Sequence, residues 1–192
     1  MRSRSWWLAV AVLVLAACGS VSGLKSEAGG NARILDYRQV EVLDFTASGS
    51  EKFTDAAKQA EYDASLLEAR GKFADKIAEA ITATGSFEQV SRQPLPQGAL
   101  RVTGDITRYD EGNIAARGLT GFAGRTHFVA VVVITDAATG QQLARIDVDR
   151  KSWPLPVGAS ASMLQTTNFF MEGAAKKVAD ELLAIRQRGG AK

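Results

Sequence analysis

The chain has 192 residues, 46% of them hydrophobic and 23% charged, a composition that suits one globular domain and excludes a disordered or low-complexity chain. One His and one Cys cannot assemble a multi-ligand zinc site or a disulfide framework. The formal charge of +2 comes without a basic cluster, so there is no electrostatic case for binding nucleic acid.

The N-terminus reads as an address. Met1-Arg2-Ser3-Arg4-Ser5 is a short basic stretch, and Trp6 to Ala17 is an uninterrupted apolar run. That run is shorter than the ~20 residues of a membrane-crossing helix and matches the h-region of an export signal. It closes on Leu15-Ala16-Ala17-Cys18, which resembles the lipobox of bacterial lipoproteins. The resemblance implies cleavage after Ala17, a diacylglyceryl group on the Cys18 sulfur and an N-acyl chain of the palmitate type on its freed amine. The alternative is an ordinary signal peptide with a chance cysteine. Several acyl chains, each contributing about 0.8 kcal/mol per buried CH₂, anchor a protein stably without a spanning helix. Gly19 follows the cysteine, which resembles the proteobacterial pattern for forwarding to the outer membrane; the alternative location is the periplasmic leaflet of the inner membrane. Removing residues 1–17 takes Arg2 and Arg4 with it, so 21 basic residues face 21 acidic ones, and the mature chain is neutral.

Residues 18–37 read as the lipidated cysteine and a flexible tether, whose 19 residues after Cys18 would span about 22–26 Å as a coil; the alternative is that part of it orders against the domain. A single domain is expected over 38–188, with a disordered tail at 189–192. Val40 and Val42 start a strand, extended toward Leu43 and Phe45, and Ser48-Gly49-Ser50-Glu51 has the form of a capping box. Leu66, Phe73, Ile77 and Ile81 share one helical face, with Glu68 and Lys72 at i,i+4 on the other. The helix is expected over 52–84, with Gly85 just past its end. Residues 86–92 form a weak strand before Pro94-Leu95-Pro96-Gln97-Gly98.

Leu100, Val102 and Ile106 alternate with polar residues as in a half-buried strand. His127 to Thr135 is apolar on both faces, the mark of a central strand covered twice. A turn at Asp136 to Gly140 leads into Gln142 to Lys151, where Ala144, Ile146 and Val148 oppose Arg145, Asp147, Asp149 and Lys151. After Trp153-Pro154-Leu155-Pro156, Ser162-Met163-Leu164-Gln165 has a capping form. Phe170, Ala174, Val178, Leu182 and Ile185 then define a second helix. The order β-α-β-β-β-α predicts a two-layer α/β (α+β) sandwich: a mixed sheet of four to five strands covered by two amphipathic helices. If both helices lie on one side, the outer row of the His127 strand needs cover, from the tether and the Trp153 loop or from another protein.

The segment 110–125 is the most unusual. It is far longer than an ordinary hairpin loop, and Gly118, Gly121 and Gly124 recur every third residue between Arg117 and Arg125. A phosphate cradle wants converging N–H groups beside a helix N-terminus, and here β flanks both sides. The segment reads instead as an extended, bulged hairpin, and Gly112, Arg117, Gly118, Gly121, Gly124 and Arg125 are the candidate partner contacts. Asp147 and Asp149 share a strand face but sit between cations, which suits charge pairing better than acid–base work. His127 has no Ser or Asp in a local motif with it. No catalytic residue, metal ligand or dissociable cofactor is expected.

Gly104-Asp105-Ile106-Thr107-Arg108-Tyr109, Arg117 to Gly124, and Asp136 to Leu143 together resemble a bacterial lipoprotein family catalogued as domain of unknown function 4410. The resemblance spans roughly Val40 to Ser152 and implies an outer-membrane-attached periplasmic domain without known catalysis. The element order is also similar to α/β domains of the curli-secretion lipoprotein and of lipoprotein activators of peptidoglycan synthases, an analogy of fold alone. Three readings follow: a lipid-anchored, non-enzymatic binding or scaffold domain whose partner is an envelope protein or polymer; an oligomeric component of an envelope export assembly; and an envelope hydrolase using His127, Asp147 or Asp149.

Overall fold

The computed structural model describes residues 21–25, 34–49, 51–96, 98–112, 126–151 and 166–189. The elements in chain order are β1 (Val21–Lys25), a 3₁₀ turn (Ile34–Asp36), β2 (Gln39–Val42), β3 (Thr46–Ala47), α1 (Ala56–Ala83), β4 (Gln89–Ser91), β5 (Ala99–Asp110), β6 (His127–Asp136), β7 (Gln142–Lys151) and α2 (Thr167–Gly189). The strands form one seven-stranded sheet in the order β1-β7-β6-β5-β2-β4, with β3 also pairing β5. β2 is parallel to β4 and β5, and β3 is parallel to β5. The β5-β6-β7-β1 run is antiparallel. This is the expected α+β architecture, a mixed open sheet with two helices.

Seven strands replace the expected four to five. β3 is two residues long and β1 lies among small polar residues, so neither carries an apolar period; each exists because a neighbouring strand offers backbone partners. β1 thus falls inside the stretch expected to be tether. The core also begins earlier than residue 38, because Ile34 and Tyr37 are buried.

Both helices cover one face of the sheet. Val40, Val42, Leu100, Val102, Ile106, Phe128, Ala130, Val132, Ile134, Ala144, Ile146 and Val148 are buried under them. α1 contributes Leu66, Phe73, Ile77 and Ile81, and α2 contributes Phe170, Ala174, Val178 and Leu182, as the helical spacing predicts. Phe73 is the keystone. Its ring lies 4.8 Å from Phe45 and 4.9 Å from Phe128, within the range where tilted and edge-on pairs are favourable.

The start of α1 differs from the sequence reading. Asp55 is the N-cap, accepting from Ala57 N at 2.9 Å and Lys58 N at 3.2 Å. The Ser48 hydroxyl instead donates to Asp105 across the sheet. A capping box is a local pattern, and a carboxylate nearer the first turn won the position. Past the other end, Gly85 has φ +62, and Glu68 pairs with Lys72 at 2.7 Å.

The double cover expected for β6 is not found among the described residues. Phe128, Ala130, Val132 and Ile134 are buried, while Val129, Val131 and Val133 are only half-buried, because both helices pack on the other side. The Ser162–Gln165 cap and the Trp153 loop lie outside the described residues.

Candidate functional site: the hairpin end and the open sheet face

β5 and β6 remain paired out to Asp110 and His127, so the expected hairpin is real at its base. Gly112, at φ +66, donates its N–H to Asp110 Oδ1 at 2.8 Å. Thr126 is buried, and its hydroxyl donates to the Glu111 carbonyl at 3.0 Å. Tyr109 donates to Glu111 Oε1 at 2.5 Å. The Tyr62 hydroxyl donates to the Tyr109 carbonyl at 3.1 Å, tying α1 to the same point. Burial first, then the hydrogen bond to Glu111, raises the Tyr109 phenol above its ordinary range, so it remains a neutral donor. The chain therefore enters and leaves the glycine-rich segment through a clamped base. Of the six expected contact residues, Gly112 sits in that base; Arg117, Gly118, Gly121, Gly124 and Arg125 lie outside the described residues, as do Leu15, Ala16, Ala17 and Cys18.

The sheet face away from both helices is organised in cross-strand rows. Thr103, Val133 and Arg145 lie side by side, as do Asp105, Val131 and Asp147. Asp105 accepts from Thr46 at 2.7 Å and from Ser48. Arg145 Nε meets Asp147 Oδ1 at 3.0 Å along one strand, so this carboxylate is paired with a cation. His127 Nε2 lies 2.8 Å from Asp149 Oδ1, an acid–imidazole contact that local motifs do not reveal because it joins adjacent strands. The recoverable signal is parity: counting outward from the Asp136–Gly140 turn places both on the outer face. A hydrolytic relay also needs a nucleophile on the ring's other nitrogen.

Other polar groups are structural. Glu41 is fully buried, with Oε1 2.5 Å from Arg101 Nε and Oε2 accepting from Leu95 N at 2.5 Å, which fastens the proline loop to β2. Arg92 bridges Asp44 and Asp75 at 2.5 and 2.7 Å. A shallow groove of about 800 Å³ between α1 and α2 is lined by small residues, Phe169 and charges of both signs, without converging polar groups for a ligand. Among the described residues, no group of three or more His, Cys, Asp or Glu is placed to hold a metal ion. No described helix is long and apolar enough to cross a membrane.

The family described as "Domain of unknown function (DUF4410)" matches residues 40–156, from the start of the β2 core to just beyond β7. The chain belongs to this family. No curated protein matches it. Similar solved structures include a protein of Xanthomonas campestris described under family DUF330, at 11% identity, covering 85% of this chain and 93% of that one with a TM-score of 0.51. They also include a PelC dodecamer from Paraburkholderia phytofirmans, at 14% identity, covering 83% and 96% with a TM-score of 0.44. A third is a minor lipoprotein from Acinetobacter baumannii, at 12% identity, covering 78% and 95% with a TM-score of 0.39. Of these three, the Xanthomonas structure supports the fold, and at 11% identity the fold alone.

Membership gives structural meaning to two of the family-like stretches. In Gly104–Tyr109, a Cβ on Gly104 would lie 1.9 Å from the Val131 carbonyl oxygen and 2.6 Å from the Phe45 ring. Only glycine lets β5, β6 and Phe45 meet there. In Asp136–Leu143, Asp136 Oδ1 accepts from Ala138 and Thr139 N at 2.7 and 2.8 Å, and Gly140 supplies φ +72. The third stretch, Arg117–Gly124, lies outside the described residues.

Proposed function

We propose that this chain is a lipoprotein of the bacterial cell envelope, held by acyl chains on Cys18 at the periplasmic face of the outer membrane and acting as a non-enzymatic binding or scaffold domain. The observation that carries the reading is the sequence Leu15-Ala16-Ala17-Cys18 at the end of an apolar run, followed closely by a folded domain whose first strand starts at Val21. The half-buried valine row of β6, on the sheet face away from both helices, supports a binding role for that face, with an envelope protein or polymer as the partner.

The test is metabolic labelling with a fatty-acid analogue, followed by mass measurement of the mature N-terminus. Cys18 is expected to carry the label and begin the mature chain. A Cys18→Ala variant that still took up label would overturn the anchor. Crosslinking from photoreactive residues placed within 112–125 should then capture an envelope component, and failure to do so in intact envelopes would count against the binding reading. Detergent-extracted protein that runs as a discrete oligomer would favour the export-assembly reading instead.

A further inference from the structure

We infer that the end of the sheet bearing the Asp110–His127 pair is a membrane-contact surface, on which the domain rests against the bilayer with Phe53 and Phe169 at the headgroup level. The inference takes Cys18 as the lipid anchor, as proposed above, and adds an orientation and a set of contact residues.

The first observation is where the chain comes from. β1 pairs antiparallel with β7, with Val21 opposite Val148 and Lys25 opposite Arg145. The N-terminal end of β1 is therefore at the end of the sheet where β7 finishes at Lys151 and β6 begins at His127. Cys18 lies three residues before Val21, at most about 11 Å of extended chain. The start of β1 therefore puts this end of the sheet within that short reach of the anchor.

The second observation is independent of the first. The large hydrophobic side chains left exposed among the described residues are Phe53, Leu67 and Phe169, at 39%, 64% and 56%. The Phe53 ring lies tilted 5.5 Å from Tyr62, whose ring lies tilted 6.3 Å from Tyr109, one residue from the last β5–β6 pair. Phe169 is in the first turn of α2, one turn before Gly173, whose carbonyl accepts from Arg150 near the end of β7. Leu67 lies on α1 between Tyr62 and Phe73, the residues that reach Tyr109 and Phe128.

The opposite end carries none of the three. It is finished by the Asp136–Gly140 turn, by Arg38 paired with Glu88 and by Gln39 bonded to Gln89. Aromatic side chains with a solvated rim suit an interfacial position. Lys52 stands between Glu51 and Asp55 in sequence around Phe53, so no basic cluster draws this end to anionic lipid and the contact is apolar in origin.

The experiment uses the full lipidated protein in vesicles of phosphatidylethanolamine and phosphatidylglycerol, with a fluorophore on Lys52→Cys, Asn168→Cys or, at the other end, Thr139→Cys. Labels at 52 and 168 are expected to be quenched by headgroup-borne spin labels and to be about threefold less accessible to iodide than the label at 139. In a Phe53→Ser/Phe169→Ser double variant, folded by circular dichroism and still anchored, that protection should disappear. Equal accessibility at both ends overturns the inference, as does protection that survives the double variant. Protection found in native envelopes but absent in vesicles assigns the surface to a protein and likewise overturns it. The mass of the Cys18 peptide separates the two claims: an unacylated Cys18 defeats the anchor itself, whereas an acylated Cys18 with equal accessibility defeats only the orientation.

Discussion

The two ends of the sheet solve the problem of termination in different ways. At the turn end, Asp136 accepts from two backbone N–H groups and from the Tyr37 hydroxyl. Arg186 of α2 donates to the Tyr37 carbonyl and lies 4.5 Å over the Phe87 ring. The polar groups there are consumed within the domain. At the hairpin end, the clamp of Tyr62, Tyr109, Glu111 and Thr126 fixes the backbone but leaves Phe53 and Phe169 facing outward. An end whose hydrogen bonds close internally has little left to offer a partner. An end with exposed aromatic rings retains surface free energy that an external surface can recover.

The sharpest probe of what both ends share is Phe73, fully buried between Phe45 and Phe128. Phe73→Ala should cost about 3–5 kcal/mol in denaturant unfolding, and both ends should lose hydrogen-exchange protection together. Loss confined to the hairpin end would show that the ends are separate folding units. Gly104→Ala should cost about 2–3 kcal/mol through overpacking against the Val131 carbonyl and the Phe45 ring. A variant of normal stability would mean that β5 and β6 can shift apart at their centre.

Asp136→Asn tests the closed end by itself. The Tyr37 hydrogen bond, then the turn N–H groups, hold the Asp136 carboxyl below its ordinary range. A depressed folded pKa adds stability above the unfolded value of ~3.9 and loses it as pH falls through the folded value. The variant should therefore be less stable by about 1 kcal/mol or less at neutral pH, after discounting for solvent screening. Its thermal-unfolding curve should converge with that of the parent in acid; a difference that persisted there would remove the carboxylate as its cause. The smallest stability effect belongs to Phe53→Ser/Phe169→Ser, within about 0.5 kcal/mol by thermal unfolding because both rings are substantially exposed. A larger loss would show these rings to be core residues and erase the contrast between the ends.

Much of this fold is written locally. Leu66, Phe73, Ile77 and Ile81 mark the buried stripe of α1 through spacing alone, and Asp136 to Gly140 announces the β6–β7 turn. The missed features are those in which a distant strand or a competing side chain supplies the reason. β1 and β3 are strands because β7 and β5 accept them. Asp55 displaces Ser48 as a cap because Ser48 is engaged by Asp105. His127 meets Asp149 through register between strands, which no short motif encodes. Apolar character on both faces of β6 reports tolerance of burial, not which neighbours arrive, and among the described residues the helices cover one face alone.

By itself the sequence determined both helices with their inward faces, the longer strands and the place of the chain's sole cysteine, since each depends on residues within one turn or one strand repeat. The tertiary structure decided which end of the sheet the first strand starts from, which carboxylate reaches the histidine and which sheet face the helices cover. Those are consequences of strand order and register, set by pairing between strands, across 22 residues for His127 with Asp149 and across more than a hundred for Val21 with Val148.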